Sequence, residues 1–239
     1  MVYDRLDSTN RRALELANEE ANHGLVVSAR EQTTGRGQHG RSWVSPPDSS
    51  VLMSALVFPP RTLQRPVLLT AWVAVAVCDV IRRTTGLRAS IKWPNDVLLG
   101  GKKVCGILIE QRRGTVVGIG LNVRQSPRTF RSAGLTEATS LAIASGQRTL
   151  SPALLSQELC ARLEALFQQL LAGKRERLEQ RWRTLLGLRG QEVVAECHDA
   201  THRGRVKELG FDGVRLKLPG ETITLVPETV LHLTAVSEV

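Results

Sequence analysis

The chain is poor in aromatic residues: Phe, Trp and Tyr make up 4% of its 239 residues, with a single tyrosine. That scarcity argues against a platform on which the bases of a single-stranded nucleic acid stack. Cysteine is scarce too. Cys78, Cys105, Cys160 and Cys197 are scattered and form no C-x-x-C pair, so neither a disulfide-framed domain nor a zinc ribbon is expected. A reduced, cytoplasmic protein is the simplest reading. Long apolar runs are missing. The most apolar stretch, 67–81, is too short to span a bilayer, contains Asp79 and stops at Arg82-Arg83. The start, Met1-Val2-Tyr3-Asp4-Arg5, lacks the pattern of a signal peptide. Acidic residues are outnumbered, 23 against 32 basic ones, which leaves a net charge of +9. The excess is mostly arginine, spread along the chain and thickest over 174–189, and reads as a solvated basic face. A hydrophobic content of 42% supports a packed core and gives no sign of disorder.

Glycine, by contrast, is concentrated where chemistry is concentrated. Gly35-Arg36-Gly37-Gln38-His39-Gly40-Arg41-Ser42-Trp43 places three glycines, two arginines and a tryptophan in one short run. Glycine lets backbone amides approach an anion, arginine offers a planar fork for phosphate or carboxylate, and tryptophan offers a flat apolar wall. The run also reads as G-x-G-x-x-G. The dinucleotide fingerprint needs a helix next, and Ser45-Pro46-Pro47-Asp48 cannot open one, so that reading fails. Three further clusters follow. Lys92-Trp93-Pro94-Asn95-Asp96 reads as a turn between strands. Gly100-Gly101-Lys102-Lys103 leads into Val104-Cys105-Gly106, and Gly118-Ile119-Gly120-Leu121-Asn122 is a strand in which another group approaches the backbone closely. Taken singly, each is as well explained by a surface turn or by sheet packing.

Taken together they have a precedent. With Asp7-Ser8-Thr9-Asn10, Gln32-Thr33-Thr34-Gly35-Arg36-Gly37, Arg41-Ser42-Trp43, the Trp-Pro-Asn-Asp turn, Lys103 with Gly106, and Gly120-Leu121-Asn122, the chain resembles the biotin protein ligases (biotin–[acetyl-CoA-carboxylase] ligases). The motifs stand in the family's order and span essentially the whole chain. The resemblance implies an α+β fold: a class II aminoacyl-tRNA synthetase/biotin ligase-like mixed sheet with helices over 1–187, then a small SH3-like β-barrel over 188–239.

The residue pattern agrees with that organisation. Ser8 or Thr9 caps a helix, strands are expected near 25–30, 51–58, 89–92, 97–99, 104–110 and 115–123, and a buried helix runs over 68–84. Residues 125–140 read as loop. Pro152 opens a helix of roughly 20 residues, and a basic helix ends near Leu186. Short β runs separated by Gly210-Phe211-Asp212-Gly213 and Pro219-Gly220 follow. Cys197, His198 and His202 straddle a strand end without a fourth ligand, so no metal site is expected there.

The resemblance also implies a reaction. Biotin and ATP give biotinyl-5'-AMP and pyrophosphate, and a lysine of a biotin carboxyl carrier protein, such as the carrier domain of acetyl-CoA carboxylase, then takes the biotinyl group. Ser8, Thr9, Asn10, Gln32, Gly35, Arg36, Gly37, Gln38, Lys103 and Gly106 would line the biotin site. Arg41, Trp43, Asn95, Asp96 and Asn122 would face the adenylate. Lys103, Arg36 and Arg41 would offset the repulsion between two anions, and Asp96 would orient the attacking lysine or receive its proton. Mg2+ is expected with ATP, although no carboxylate cluster identifies its ligands. Gln38 stands where many relatives carry a basic residue. Some family members begin with a winged helix-turn-helix and act as repressors. Here Ser8-Thr9-Asn10 stands at the start, so a ligase without that role is expected, as a monomer or homodimer with no specific nucleic acid and no membrane. Two other classes compete: a lipoate or octanoyl transferase, echoed only by His39, and a basic nucleic-acid-binding module.

Overall fold

The structure is a computed structural model that describes residues 1–147 and 149–236, apart from the side chain of His39. Its elements in chain order are β1 (Val2–Leu6), α1 (Thr9–Glu15), β2 (Val26–Gln32), β3 (Ser50–Val57), α2 (Pro66–Thr85), β4 (Ser90–Lys92), β5 (Asp96–Leu99), β6 (Lys102–Gln111) and β7 (Thr115–Asn122). The short helices α3 (Pro127–Ser132) and α4 (Leu141–Ser145) follow. Then come α5 (Pro152–Leu171), α6 (Arg175–Leu186), β8 (Glu192–Cys197), β9 (Thr201–Leu209), β10 (Val214–Lys217), β11 (Thr222–Leu225) and β12 (Val230–Ala235). No helix among the described residues is long and apolar enough to cross a membrane.

The first sheet has seven strands in the order β1-β2-β3-β7-β6-β5-β4. β1 runs parallel to β2 and the other neighbours are antiparallel. Strand alternation gives this sheet two different faces. From β3, Val51, Met53, Ala55 and Val57 join the core under α2. From β6 and β7, Cys105, Ile107, Ile109, Val117, Ile119 and Leu121 do the same. The opposite face carries Ser54 and Leu56 from β3, Gly106, Leu108 and Glu110 from β6, and Val116, Gly118, Gly120 and Asn122 from β7. Helix α1 and the turn that follows it cover part of it, packing Ala13 and Ala17 on Leu56, Val27 and Val116.

α2 explains why the long apolar stretch is a helix and not a strand. Pro66 opens it at N1, and Gly86 closes it at φ 75 with Arg82 and Arg83 in the last turn. Fourteen of its positions are buried, each large apolar one contributing roughly 1.5–3 kcal/mol. Asp79, partly buried, pairs with Arg162 of α5 and Arg181 of α6, which clamps three helices together.

The C-terminal strands form a five-stranded antiparallel sheet in the order β11-β10-β9-β8-β12. This is the small antiparallel β unit expected after the first sheet; among the described residues no pairing joins its edge strands, β11 and β12. Trp182 of α6 lies between Trp93 and Phe211, with ring centroids 5.7 and 5.2 Å away. Trp93 Nε1 donates to the Val230 carbonyl at 2.7 Å. Arg65 binds Glu228 and Asp212 at 2.7 and 3.0 Å. One continuous core therefore runs from α2 through these rings into the second sheet.

Candidate active site

Three glycines make a depression in the α1 face of the first sheet. Gly106 of β6 pairs with Gly120 of β7, and Gly118 lies one step further along the same face. The space their side chains would fill is taken. A Cβ on Gly120 would lie 2.5 Å from Trp43 Cε2, and one on Gly106 would lie 3.0 Å from Trp43 Cζ3. A Cβ on Gly118 would lie 2.1 Å from Asn10 Oδ1. The Trp43 indole thus seats on Gly106 and Gly120, and the Asn10 amide on Gly118.

The loop that brings Trp43 there is a small hairpin. Arg36 bridges Ser42, Trp43 N donates to the Gly35 carbonyl at 2.9 Å, and Gly37 N donates to the Arg41 carbonyl at 2.7 Å. Gly40 turns the chain at φ 73.

Two cavities meet under this hairpin. The narrow one is lined by Ser8, Thr9, Asn10, Gln32, Arg36, Gly37, Gln38, Lys103 and Gly106, with Trp43 and Asn95 at its mouth. Of the residues expected around biotin, only Gly35 stands outside it. Gly35 lies behind the hairpin, where a Cβ would strike the Trp43 carbonyl at 2.3 Å and Gln32 Nε2 at 2.9 Å. The wider cavity is lined by Arg41, Trp43, Asn95, Asp96 and Asn122, together with Trp93, Phe130, Leu135 and His232. Gly37, Gln38, Trp43, Asn95 and Lys103 line both.

Lys103 stands at the junction. Its ammonium lies 2.7 Å from Asp96 Oδ1 and 6.0 Å from the centroid of the Trp43 ring. Lys102 is exposed. Lys103 and Gly106 share a face although they are an odd number of residues apart. The β5–β6 register explains this: Val97 pairs with Cys105 and Leu98 with Lys103, so Val104 is an extra residue, a bulge. The 137–139 segment fixes the position, since Lys103 N donates to the Glu137 carbonyl and Thr139 N to the Lys103 carbonyl, both at 2.8 Å. Cys105 lies next to this cluster, but burial raises its thiol well above the ordinary range, so it stays neutral and inert.

A polar network lies at the floor of the narrow cavity. Thr9 N donates to Gln32 Oε1 at 2.7 Å. Ser54 Oγ is 2.8 Å from Thr9 Oγ1 and 2.6 Å from Asn10 Oδ1. Asn10 Nδ2 donates to Glu110 Oε2 at 2.8 Å, and Arg36 binds Glu110 Oε1 at 3.1 Å. Ser54 and Glu110 were not expected from the motifs. A serine inside a strand buried at every position was the available signal for Ser54; Glu110 offered none.

In the wider cavity several polar groups are already spent. Asn122 Nδ2 donates to the Thr139 carbonyl at 3.0 Å and Asn122 Oδ1 accepts from Gln125 at 2.9 Å. Asn95 Nδ2 donates to the Ile107 carbonyl at 2.7 Å. The buried Trp43 Nε1 has no partner among the described residues. His39, the echo of the transferase reading, has its side chain outside the described residues. Among the described residues no three His, Cys, Asp or Glu side chains could together hold a metal ion.

The biotin/lipoate A/B protein ligase family model matches residues 2–125. The bifunctional ligase/repressor BirA of Bacillus subtilis is 35% identical over 230 residues, covering 93% of this chain and 70% of that protein. The biotin–[acetyl-CoA-carboxylase] ligase of Mycobacterium tuberculosis is 32% identical over 253 residues, covering 97% of this chain and 88% of that protein. Among solved structures, the biotin protein ligase of Aquifex aeolicus in complex with biotin and ATP superposes with a TM-score of 0.84 at 22% identity, over 99% of this chain and 98% of that one. The chain belongs to the biotin/lipoate A/B protein ligase family. Within it, the relatives place it among the biotin ligases, as an enzyme.

Proposed function

We propose that the protein joins biotin to ATP as biotinyl-5'-AMP and passes the biotinyl group to one lysine of a biotin carboxyl carrier protein, such as that of acetyl-CoA carboxylase. The observation that carries this reading is the pair of cavities that meet at Lys103 and Trp43. A small polar head with an acyl tail suits the narrow one, and a nucleotide suits the wider one. Where they join, a carboxylate oxygen attacks the α-phosphorus and pyrophosphate leaves. Lys103 and Arg36 are the cations that would hold the two anions together, once released from Asp96 and Glu110. The carrier lysine then attacks the acyl carbon as a neutral amine, AMP leaves, and Asp96 takes the amine's proton. Trp43, with its unspent N–H, and Arg41 would close over the adenylate and keep water from the anhydride. Mg2+ would accompany the triphosphate. ATP-dependent labelling of a purified biotin carboxyl carrier domain tests the proposal. Labelling that fails with biotin and proceeds with lipoate would reject it.

Gln38 lines both cavities, and a basic residue there would add a charge beside the phosphoester. Gln38→Arg is expected to slow release of the adenylate by about tenfold, the worth of one charge-assisted hydrogen bond. Retention of labelled adenylate on a filter measures it; equal or faster release counts against the role.

We assign the protein no operator-reading role. Arg30, Arg65, Arg162, Arg175 and Arg181 are spent in ion pairs within the chain. Binding to DNA is expected to be weak and to fade with salt. A biotin-dependent mobility shift that survives physiological salt would overturn this. Burial pushes the Cys78 thiol up to about 12.

The division into 1–187 and 188–239 is proposed as one of two units with a common core. Deleting 188–239 would uncover Trp93 and Trp182, which are 4% and 1% exposed. Several kcal/mol of burial would go, and the melting temperature is expected to fall by about 10 °C or more, with slower turnover. Unchanged melting and turnover in the truncated chain would refute the shared core.

A further inference from the structure

The polar network under the narrow cavity has a direction that its atoms dictate. Asn10 Nδ2 faces two acceptors, Glu110 Oε2 at 2.8 Å and the Leu108 carbonyl at 3.5 Å, so Asn10 Oδ1 is turned to Ser54. An amide oxygen only accepts. The single hydroxyl proton of Ser54 therefore goes to Asn10 Oδ1 at 2.6 Å. Ser54 then has no proton for Thr9, and the 2.8 Å contact between their hydroxyls is open only to the proton of Thr9. The alternative for that proton is Gln32 Oε1 at 3.0 Å. Both destinations lie inside the protein. The Thr9 hydroxyl thus meets a ligand with lone pairs alone. Gln32 is fixed the opposite way: its Oε1 is held by the Thr9 N–H, which leaves its Nε2 to donate.

We infer that Ser54 and Glu110 are positioning residues that set the hydrogen-bond polarity of this site, obliging Thr9 to accept and so selecting a ligand that presents an N–H to it. The inference rests on the narrow cavity being the seat of biotin's cyclic urea, whose two N–H groups flank a carbonyl. Glu110 is the origin of the polarity. A carboxylate has only acceptors, and in this structure Glu110 pairs with Arg36 at 3.1 Å. With Gln at 110 an N–H could face Asn10, the Asn10 amide could turn over, Ser54 would accept, and each proton along the network could reverse. With Ala at 54 the Thr9 proton loses one of its two inward acceptors.

The test titrates three ligands calorimetrically into the wild-type chain, Glu110→Gln and Ser54→Ala. The ligands are biotin and the two cyclic carbamates in which one ureido N–H is replaced by a ring oxygen. The wild type is expected to bind biotin at least about 100-fold more tightly than the poorer carbamate, because an oxygen there sets lone pair against lone pair. In each variant that melts as a folded protein, that ratio is expected to fall at least threefold, a change in discrimination that general loosening of the site would not produce. A smaller fall in either folded variant overturns the inference, and if one variant does not fold the other decides. Biotin binding with an unchanged ratio sinks this inference alone, whereas a wild-type chain that binds no biotin sinks the proposed function and this inference with it.

Discussion

Lys103→Ala is expected to lower the rate of pyrophosphate release with biotin and ATP by about 10²–10³-fold, while Lys102→Ala stays within about twofold of the wild type. The first step brings a carboxylate against a phosphate, and charge builds on the phosphoryl oxygens as the bond forms. A cation fixed beforehand at that point needs no reorganisation and is worth far more there than in water. Lys103 is so fixed. The Val104 bulge turns it toward Gly106, and the bonds to Glu137 and Thr139 hold its backbone. The ammonium stands where both cavities meet. The pairing with Asp96 at 2.7 Å stores the charge in place until an anion competes for it. Lys102, one residue earlier and exposed, has none of these contacts. Lys103→Met separates charge from packing, since methionine keeps a long unbranched apolar stem without the charge; it should be as slow as Lys103→Ala. Circular dichroism and melting curves guard against misfolding. If Lys102→Ala is the inactive variant, the register is wrong by one. If neither loses activity, this turn does not belong to the reaction.

What the sequence made legible here was residue type in order. The glycine–arginine run, the Trp-Pro-Asn-Asp turn and Lys103 were separate weak signals, and the sheet collects them around two adjoining cavities. The hidden parts are those that depend on distant pairing or on exceptions to a period. The Asn10–Glu110 bond joins residues 100 apart, and no local pattern announces it. The bulge at Val104 breaks the alternation that would otherwise put Lys103 and Gly106 on opposite faces. β1 escaped notice because Val2–Leu6 is only five residues, mostly exposed, and lacks a regular apolar alternation. α3 and α4 lie in a stretch read as loop. They are six and five residues long, and each relies on a serine cap, Ser126 and Ser140, more than on an apolar face. His232 belongs to the wider cavity although it lies in the second sheet, near Val230, whose carbonyl Trp93 binds.

Gly118→Ala is expected to cost the narrow cavity its ligand, with biotin affinity falling by at least about 100-fold, the sum of one or two unmade buried hydrogen bonds. The added Cβ would lie 2.1 Å from Asn10 Oδ1 and 2.8 Å from Asn10 Cγ, far inside contact distance. One side has to give. The β7 backbone cannot, because Gly118 is paired with Ser54 of β3 and Leu108 of β6, in the middle of two ladders. Asn10 must therefore move, and it is the hub of the floor: Ser54 donates to its oxygen and its nitrogen donates to Glu110. Displacing it leaves Ser54 without its acceptor and Glu110 with Arg36 alone, at roughly 1–3 kcal/mol for each buried group left unpaired. The same loss lowers thermal stability, so the affinity is compared at a temperature where the variant is folded. Gly114→Ala is the matched control. The nearest atoms to its Cβ would be the ring of Phe58 and a methyl of Leu56, at 2.8–3.0 Å and away from the cavity, so it should lose stability without losing biotin. Equal biotin affinity for Gly118→Ala and the wild type would mean that Asn10 can be displaced at no cost, and the network would then be a by-product of packing rather than the support of the site.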